Sequence, residues 1–135
     1  MSAEAFLIDL CSAAKRRFIE GIVLHVEKKC GIVYMVINDN LVTETSLAPE
    51  SAALLLPFLT KVSALDIADE NGVREGYWGI ENPQMRWKVI VSPHENGIRI
   101  QLRYVPRDEA EARVRASQVP PSLREAVARK PLEVN

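Results

Sequence analysis

The period of the apolar residues changes at Gly21, and that change constrains the fold more than any other feature of the chain. Before it, Phe6, Leu7, Leu10, Cys11, Ala14 and Phe18 recur at helical spacing, with Ser2 and Glu4 placed to cap the start. After it, Ile22, Leu24 and Val26 alternate with Val23, His25 and Glu27, which is the two-residue period of a strand. A chain that opens this way must lay an amphipathic helix against a sheet.

The same reading carries through the rest of the chain. Lys28 to Gly31 is a turn, and Ile32–Ile37 is a β-branched and aromatic run suited to a central strand. Asn38-Asp39-Asn40 is a turn, and Leu41–Thr45 is a third strand. A second helix is expected from Pro49 to Leu65, with Pro57 as a local conflict, because proline lacks the backbone donor and kinks or splits a helix. Asn71-Gly72 ends that region. Strands Val73–Ile80, Met85–Val91 and Ile98–Val105 follow, joined at Asn82-Pro83 and Asn96-Gly97. The tail is helix-prone over Asp108–Ala116, is broken at Pro120-Pro121, and offers a capped short helix at Leu123–Arg129.

This order predicts an α+β fold: an antiparallel sheet of five to six strands, helices packed on one face, and a C-terminal helical linker. The domain is expected to span residues 1–105 and the linker or tail residues 106–135. The expected core is Phe6, Leu10, Phe18, Leu24, Val26, Val36, Leu55, Phe58, Val62, Leu65, Ile67, Val89, Val91, Ile100 and Leu102.

At 135 residues the chain is one domain's worth of sequence. Its net charge of −1 gives no global attraction to nucleic acid or to an anionic membrane. The two cysteines, Cys11 and Cys30, form no C-x-x-C pair and fit reduced thiols. Asp9 interrupts the first apolar stretch, which lacks a basic leader, and the run around Ala52–Leu59 is far short of a membrane span. A cytoplasmic location is the expectation.

The chain carries no phosphate loop, no dinucleotide fingerprint, no nucleophile elbow and no H-E-x-x-H. Cys11, Cys30, His25 and His94 make a nominal zinc set, but structural zinc uses ligands paired closely in sequence, and these are scattered. Asp66, Asp69, Glu70 and Glu75 read as a solvated acidic connection, without the spacing of a calcium loop. No cofactor is expected. Lys15-Arg16-Arg17 complements the negative end of the first helix.

Trp78 and Trp87 fall on adjacent strands, with Tyr77 and Tyr104 near them and Arg86, Lys88, Arg99 and Arg103 interleaved. Two readings follow. One is a stacking surface for single-stranded nucleic acid. The other, which the near-zero net charge favours, is a cross-strand aromatic pair covering the sheet, with the basic residues on its wet side.

Between Phe58 and Val105, a run of short pieces occurs in a fixed order. Leu65-Asp66-Ile67-Ala68-Asp69 comes first, then Gly76, then Pro93 and Gly97 ahead of Arg99, Leu102 and Arg103; upstream lie His25 and Glu27 in Val23–Glu27. This order resembles the N-terminal, PAS-like domain of the type II secretion and type IV pilus motor ATPases (the GspE/PilT superfamily), over about residues 12–105. The family shows L-D-I-A-E, a Gln-Asp-Gly-Arg turn and a final hairpin with proline and glycine at these places. The resemblance implies a bacterial, cytoplasmic domain that works beside an ATPase core. It does not carry the family's nucleotide-contacting arginines: the second strand Val33–Ile37 has none, Phe58-Leu59-Thr60 replaces Ser-Arg-Ile, and Tyr77 follows Gly76 in place of arginine.

The expectation is therefore a non-enzymatic interaction or regulatory module. The resemblance implies a secretion or pilus motor or platform protein as partner. A homo-oligomer remains open, and neither nucleic acid nor membrane insertion is expected. The alternative is a PAS-like sensor that holds a small ligand between sheet and helices. The candidate partner surface is Trp78, Trp87, Tyr104, Arg99 and Arg103, with the charged tail from Arg107 to Lys130 as a second surface.

Overall fold

The computed structural model describes residues 2–66 and 70–117. The element order is α1 (Ala3–Arg16), β1 (Gly21–Glu27), β2 (Gly31–Ile37), β3 (Asn40–Leu47), α2 (Pro49–Ala52), α3 (Leu55–Ser63), β4 (Arg74–Glu81), β5 (Gln84–His94), β6 (Gly97–Tyr104) and α4 (Glu109–Ser117). The strands form one six-stranded antiparallel sheet in the order β3-β2-β1-β6-β5-β4. Two three-stranded meanders thus meet where β1 pairs with β6. The expected α+β class, the antiparallel sheet and a C-terminal helix are all present.

α1 starts where Ser2 accepts a hydrogen bond from the Ala5 amide at 3.0 Å. It ends at Arg16, two residues before the expected stripe does. Phe18 takes a left-handed conformation, φ 57°, while the Phe18 and Ile19 amides donate back to the Lys15 and Ala14 carbonyls. This is a Schellman stop with phenylalanine in the place glycine usually takes. Phe18 is therefore half-buried beside the helix end and is not part of the core stripe.

The proline conflict resolves by splitting the second helix. α2 stops at Ala52 and α3 begins at Leu55, so Pro57 falls in the first turn of α3, where no intrahelical donor is required. The Asn38-Asp39 turn has positive φ at both residues (54° and 65°), the hairpin geometry these residue types tolerate. The outer strand β3 is exposed almost throughout, and the ladder slips at Val33/Tyr34 so that Glu44 has no partner opposite. Arg17 reaches that residue at 3.4 Å.

Side-chain parity sorts the sheet into two faces. Ile22 and Leu24 of β1, Val33 and Met35 of β2, Ile100 and Leu102 of β6, and Trp87, Val89 and Val91 of β5 all point to the helix side and are buried. Leu7, Leu10, Cys11 and Ala14 of α1, with Leu55 and Leu59 of α3, close over them. Glycine lets the layers approach: a Cβ at Gly31 would stand 2.8 Å from that of Ala52, and one at Gly76 would collide with the Ser63 carbonyl. Of the expected core, Val36 faces the other side, where it is half-buried, and Ile67 lies outside the described residues.

Trp78, Trp87 and Tyr104 belong to this core and are not a surface. They are 5%, 0% and 6% exposed. Trp78 and Trp87 are cross-strand partners, Phe58 packs edge-on against Trp78, and Tyr104 packs edge-on against Trp87. Trp78 shares parity with Ile80, and Trp87 with Val89 and Val91, so burying those strands buries both indoles.

Candidate functional site

Arg99 and Arg103, the basic members of the expected surface, stand on the face that no described helix covers. Register places His25 of β1 opposite Arg99, Ser92 of β5 on the other flank of Arg99, and Lys88 of β5 opposite Arg103. Arg86 lies on the same face, its guanidinium 4.3 Å from the Tyr77 ring centroid. The imidazoles of His25 and His94 stack at 4.3 Å, and Tyr34 meets His25 edge-on at 4.9 Å. The result is a basic strip across β1, β6 and β5 with half-buried Ile90 and Gln101 between its ends.

The strip is poorly compensated from within. Lys88 pairs with Glu75 at 3.4 Å, and that glutamate is largely solvated. His25 Nε2 and Arg99 Nε are buried and have no hydrogen-bond partner among the described residues. Burial, then the adjacent His94 and Arg99, hold the His25 imidazole below its ordinary value of 6.5, against a smaller opposing pull from Glu27.

The nominal zinc residues are divided between the two faces. Cys11 is buried beneath α1, where burial raises its thiol, while His25 and His94 share the open face and Cys30 sits at the β1–β2 turn. Among the described residues no group of three or more potential ligands comes together. Asp69 lies outside those residues.

Within the described residues, the segment from Arg107 to Arg115 packs back against the domain. Asp108 accepts the Glu111 amide at 2.8 Å and starts α4. Glu111 then accepts from the Tyr104 hydroxyl at 2.7 Å and from Arg107 at 2.8 and 2.9 Å. Burial raises Tyr104 to about 12, with the Glu111 hydrogen bond adding to it. Burial also works to raise Glu111, but the bonds from Arg107 and Tyr104 outweigh it and hold the carboxyl below its usual value.

Arg115, 7% exposed, donates to the Lys15 and Ile19 carbonyls at 3.1 and 3.2 Å and lies 4.1 Å from the Tyr104 ring centroid. Its charge is met by carbonyls at the negative end of α1 and by an aromatic face. An open groove of about 590 Å³ runs between α1 and α4, lined by Lys15, Phe18, Val114 and Arg115 among others. The proposed linker helix at Leu123–Arg129 lies outside the described residues.

The space required by a ligand sensor is small where the helices meet the sheet edge. The pocket under Phe6, Leu47, Leu54 and Leu55 measures about 20 Å³, room for about one water.

Sequence reasoning foresaw the basic residues on the wet side but missed the histidine stack and the Arg115 anchor. The stack depends on β1 pairing with β6, a contact between ends of the chain that no local pattern encodes. α4 reads as evenly charged, and Glu111, four residues before Arg115, makes an ordinary surface pair the local expectation, so nothing in the sequence marks the carbonyl partners. No protein-family model matches the chain, and no curated protein matches it.

Proposed function

We propose that this domain is a non-catalytic protein-interaction module, related to the N-terminal domains of type II secretion and type IV pilus motor ATPases and acting in the cytoplasm. The observation that carries the reading is the open sheet face, where His25 Nε2 and Arg99 Nε are buried without a hydrogen-bond partner among the described residues and no described helix covers them, while α1 and α3 pack the opposite face. Surfaces held in that state gain when a complementary molecule covers them. The positions that suggest the family fit this arrangement: Gly76 is required where α3 crosses β4, and Gly97 opens β6. No helix among the described residues is long and apolar enough to cross a membrane.

Size-exclusion chromatography of the chain, mixed with a secretion or pilus motor or its inner-membrane platform protein from the same organism, tests the proposal. Co-elution as a stoichiometric complex is the expected result. Separate elution from both overturns it. Calorimetry with Mg-ATP tests the non-catalytic part: no heat is expected, and micromolar affinity overturns it.

A further inference from the structure

We infer that the open face of β1, β6 and β5 docks an acidic segment of a partner protein, with the His25–Arg99 pair at one end of the strip and the Lys88–Arg103 pair at the other. The inference rests on the interaction-module reading and adds the surface and the chemistry of its partner.

Three independent observations converge on this face. First, like charges stand directly opposite each other where Lys88 faces Arg103 across the β5–β6 ladder, and Arg99 has across β1–β6 the neutral His25 imidazole in place of an acid. A like-charge pair weakens a sheet, and a packing role does not call for it. Second, His25 Nε2 and Arg99 Nε are buried without hydrogen-bond partners among the described residues, although both can donate to a carboxylate. Third, Ile90 and Gln101 lie half-buried between the charged ends, which gives the strip a centre less polar than its rim.

Arg99 and Arg103 lie four residues apart on one strand, about 13 Å at ~3.3 Å per residue. Carboxylates on a single strand or helix of a partner can reach both. Nucleic acid fits less well. Trp78 and Trp87 face the core, Tyr77 beside the strip is already covered by Arg86, and Tyr34 stands edge-on to His25, so the large aromatics offer little open stacking surface among the described residues. The chain as a whole has 18 acidic against 17 basic side chains, so a long uniform polyanion meets repulsion beyond the strip. A partner with a local acidic patch does not.

The probe is a blocked octaglutamate peptide, titrated into the isotope-labelled full chain and followed by amide chemical shifts. Shifts confined to His25, Lys88, Ser92, Arg99, Gln101 and Arg103 are expected, lost at about 0.3 M salt as the charges are screened. The R99Q/R103Q variant, checked for an unchanged spectrum elsewhere, should weaken the peptide about tenfold or more. A K28Q/K29Q control should not.

The inference is overturned if the peptide leaves the strip unshifted, if it collects at Lys28-Lys29 or at Arg16, or if an eight-nucleotide oligo-dT binds the strip more tightly. A partner that co-elutes equally well with R99Q/R103Q overturns the surface and leaves the module reading standing. Peptide binding at the strip, with no co-elution by the unaltered chain, overturns the module reading instead.

Discussion

On the helix-covered face of the sheet, Ile22, Leu24, Val89 and Leu102 meet side chains from the helices above them. One residue along each strand, Val23 apart, the opposite face presents His25 opposite Arg99 and Lys88 opposite Arg103. The strands are the same, and so are their hydrogen-bond ladders. Only the parity of the side chain differs. Stability is therefore concentrated in one set of alternate residues, and the other set is left free for contact with something outside the domain.

Substitutions that break this contrast fall in a clear order. Leu59→Ala, under the α3 cover and 0% exposed, should cost about 2–5 kcal/mol in a urea titration. Ile90→Ala on the open face should cost about 1 kcal/mol, since part of that side chain is already in water. Equal losses at the two sites would erase the distinction between the faces.

The two glycines of β4 sharpen the same test. Gly76→Ala drives a methyl into the Ser63 carbonyl and should cost about 1–3 kcal/mol as α3 shifts. Gly79→Ala, on the open face with nothing within 4 Å, should stabilise by about 0.4–1 kcal/mol by restricting the unfolded chain. Midpoints that move the same way would refute the assignment of faces.

Arg115→Met removes the donors that hold α4 to α1. About 1–3 kcal/mol should be lost, with faster hydrogen exchange in α4 and unchanged exchange in β5. Uniform acceleration across the sheet would mean that α4 is part of the global core.

On the open face, Arg103→Gln should leave stability within about 0.5 kcal/mol, or raise it slightly, because it relieves the charge opposite Lys88. A clear loss would point to an internal partner for Arg103.

The smallest effect is pH. His25 is held neutral in the fold below its unfolded value of 6.5, so the unfolded chain binds more protons in that window. Its contribution is complete above pH 6.5 and declines as the pH falls through the folded value. The decline should flatten in His25→Asn, as read from urea midpoints between about pH 7 and 5. An unchanged slope would assign it to other groups.

The architecture was legible wherever a local rule decided the outcome. The change of period at Gly21 separates α1 from β1, and Asn38-Asp39 supplies the two positive φ angles of its hairpin. The clash between Pro57 and a long helix announced the break, although not that it would fall upstream, at Ala53-Leu54. Parity was equally local, and it already placed Trp78 beside Ile80 and Trp87 beside Val89. Treating large aromatics as anchors hid that signal.

The histidine stack and the buried Arg115 were not legible, for a different reason. Both arise where residues about 70 or 100 positions apart meet, and neither uses an acid–base pairing that composition would reveal. The cross-strand pairs of the open face share this origin in part. Lys88 and Arg103 follow from the β5–β6 hairpin, but His25 and Arg99 require the join between the two meanders.

The separation of the two thiols across the fold has a practical consequence for reagents. Cys11 is enclosed beneath α1, and burial keeps it in the unreactive protonated form, whereas Cys30 is partly accessible at the β1–β2 turn. In the native state the pair should behave as a single attachment point for a maleimide dye. That point lies at the end of the sheet where Glu27 pairs with Gly97, two strand positions beyond His25 and Arg99. A fluorophore placed there by ordinary alkylation becomes a built-in reporter at the rim of the open face, and it requires no engineered cysteine.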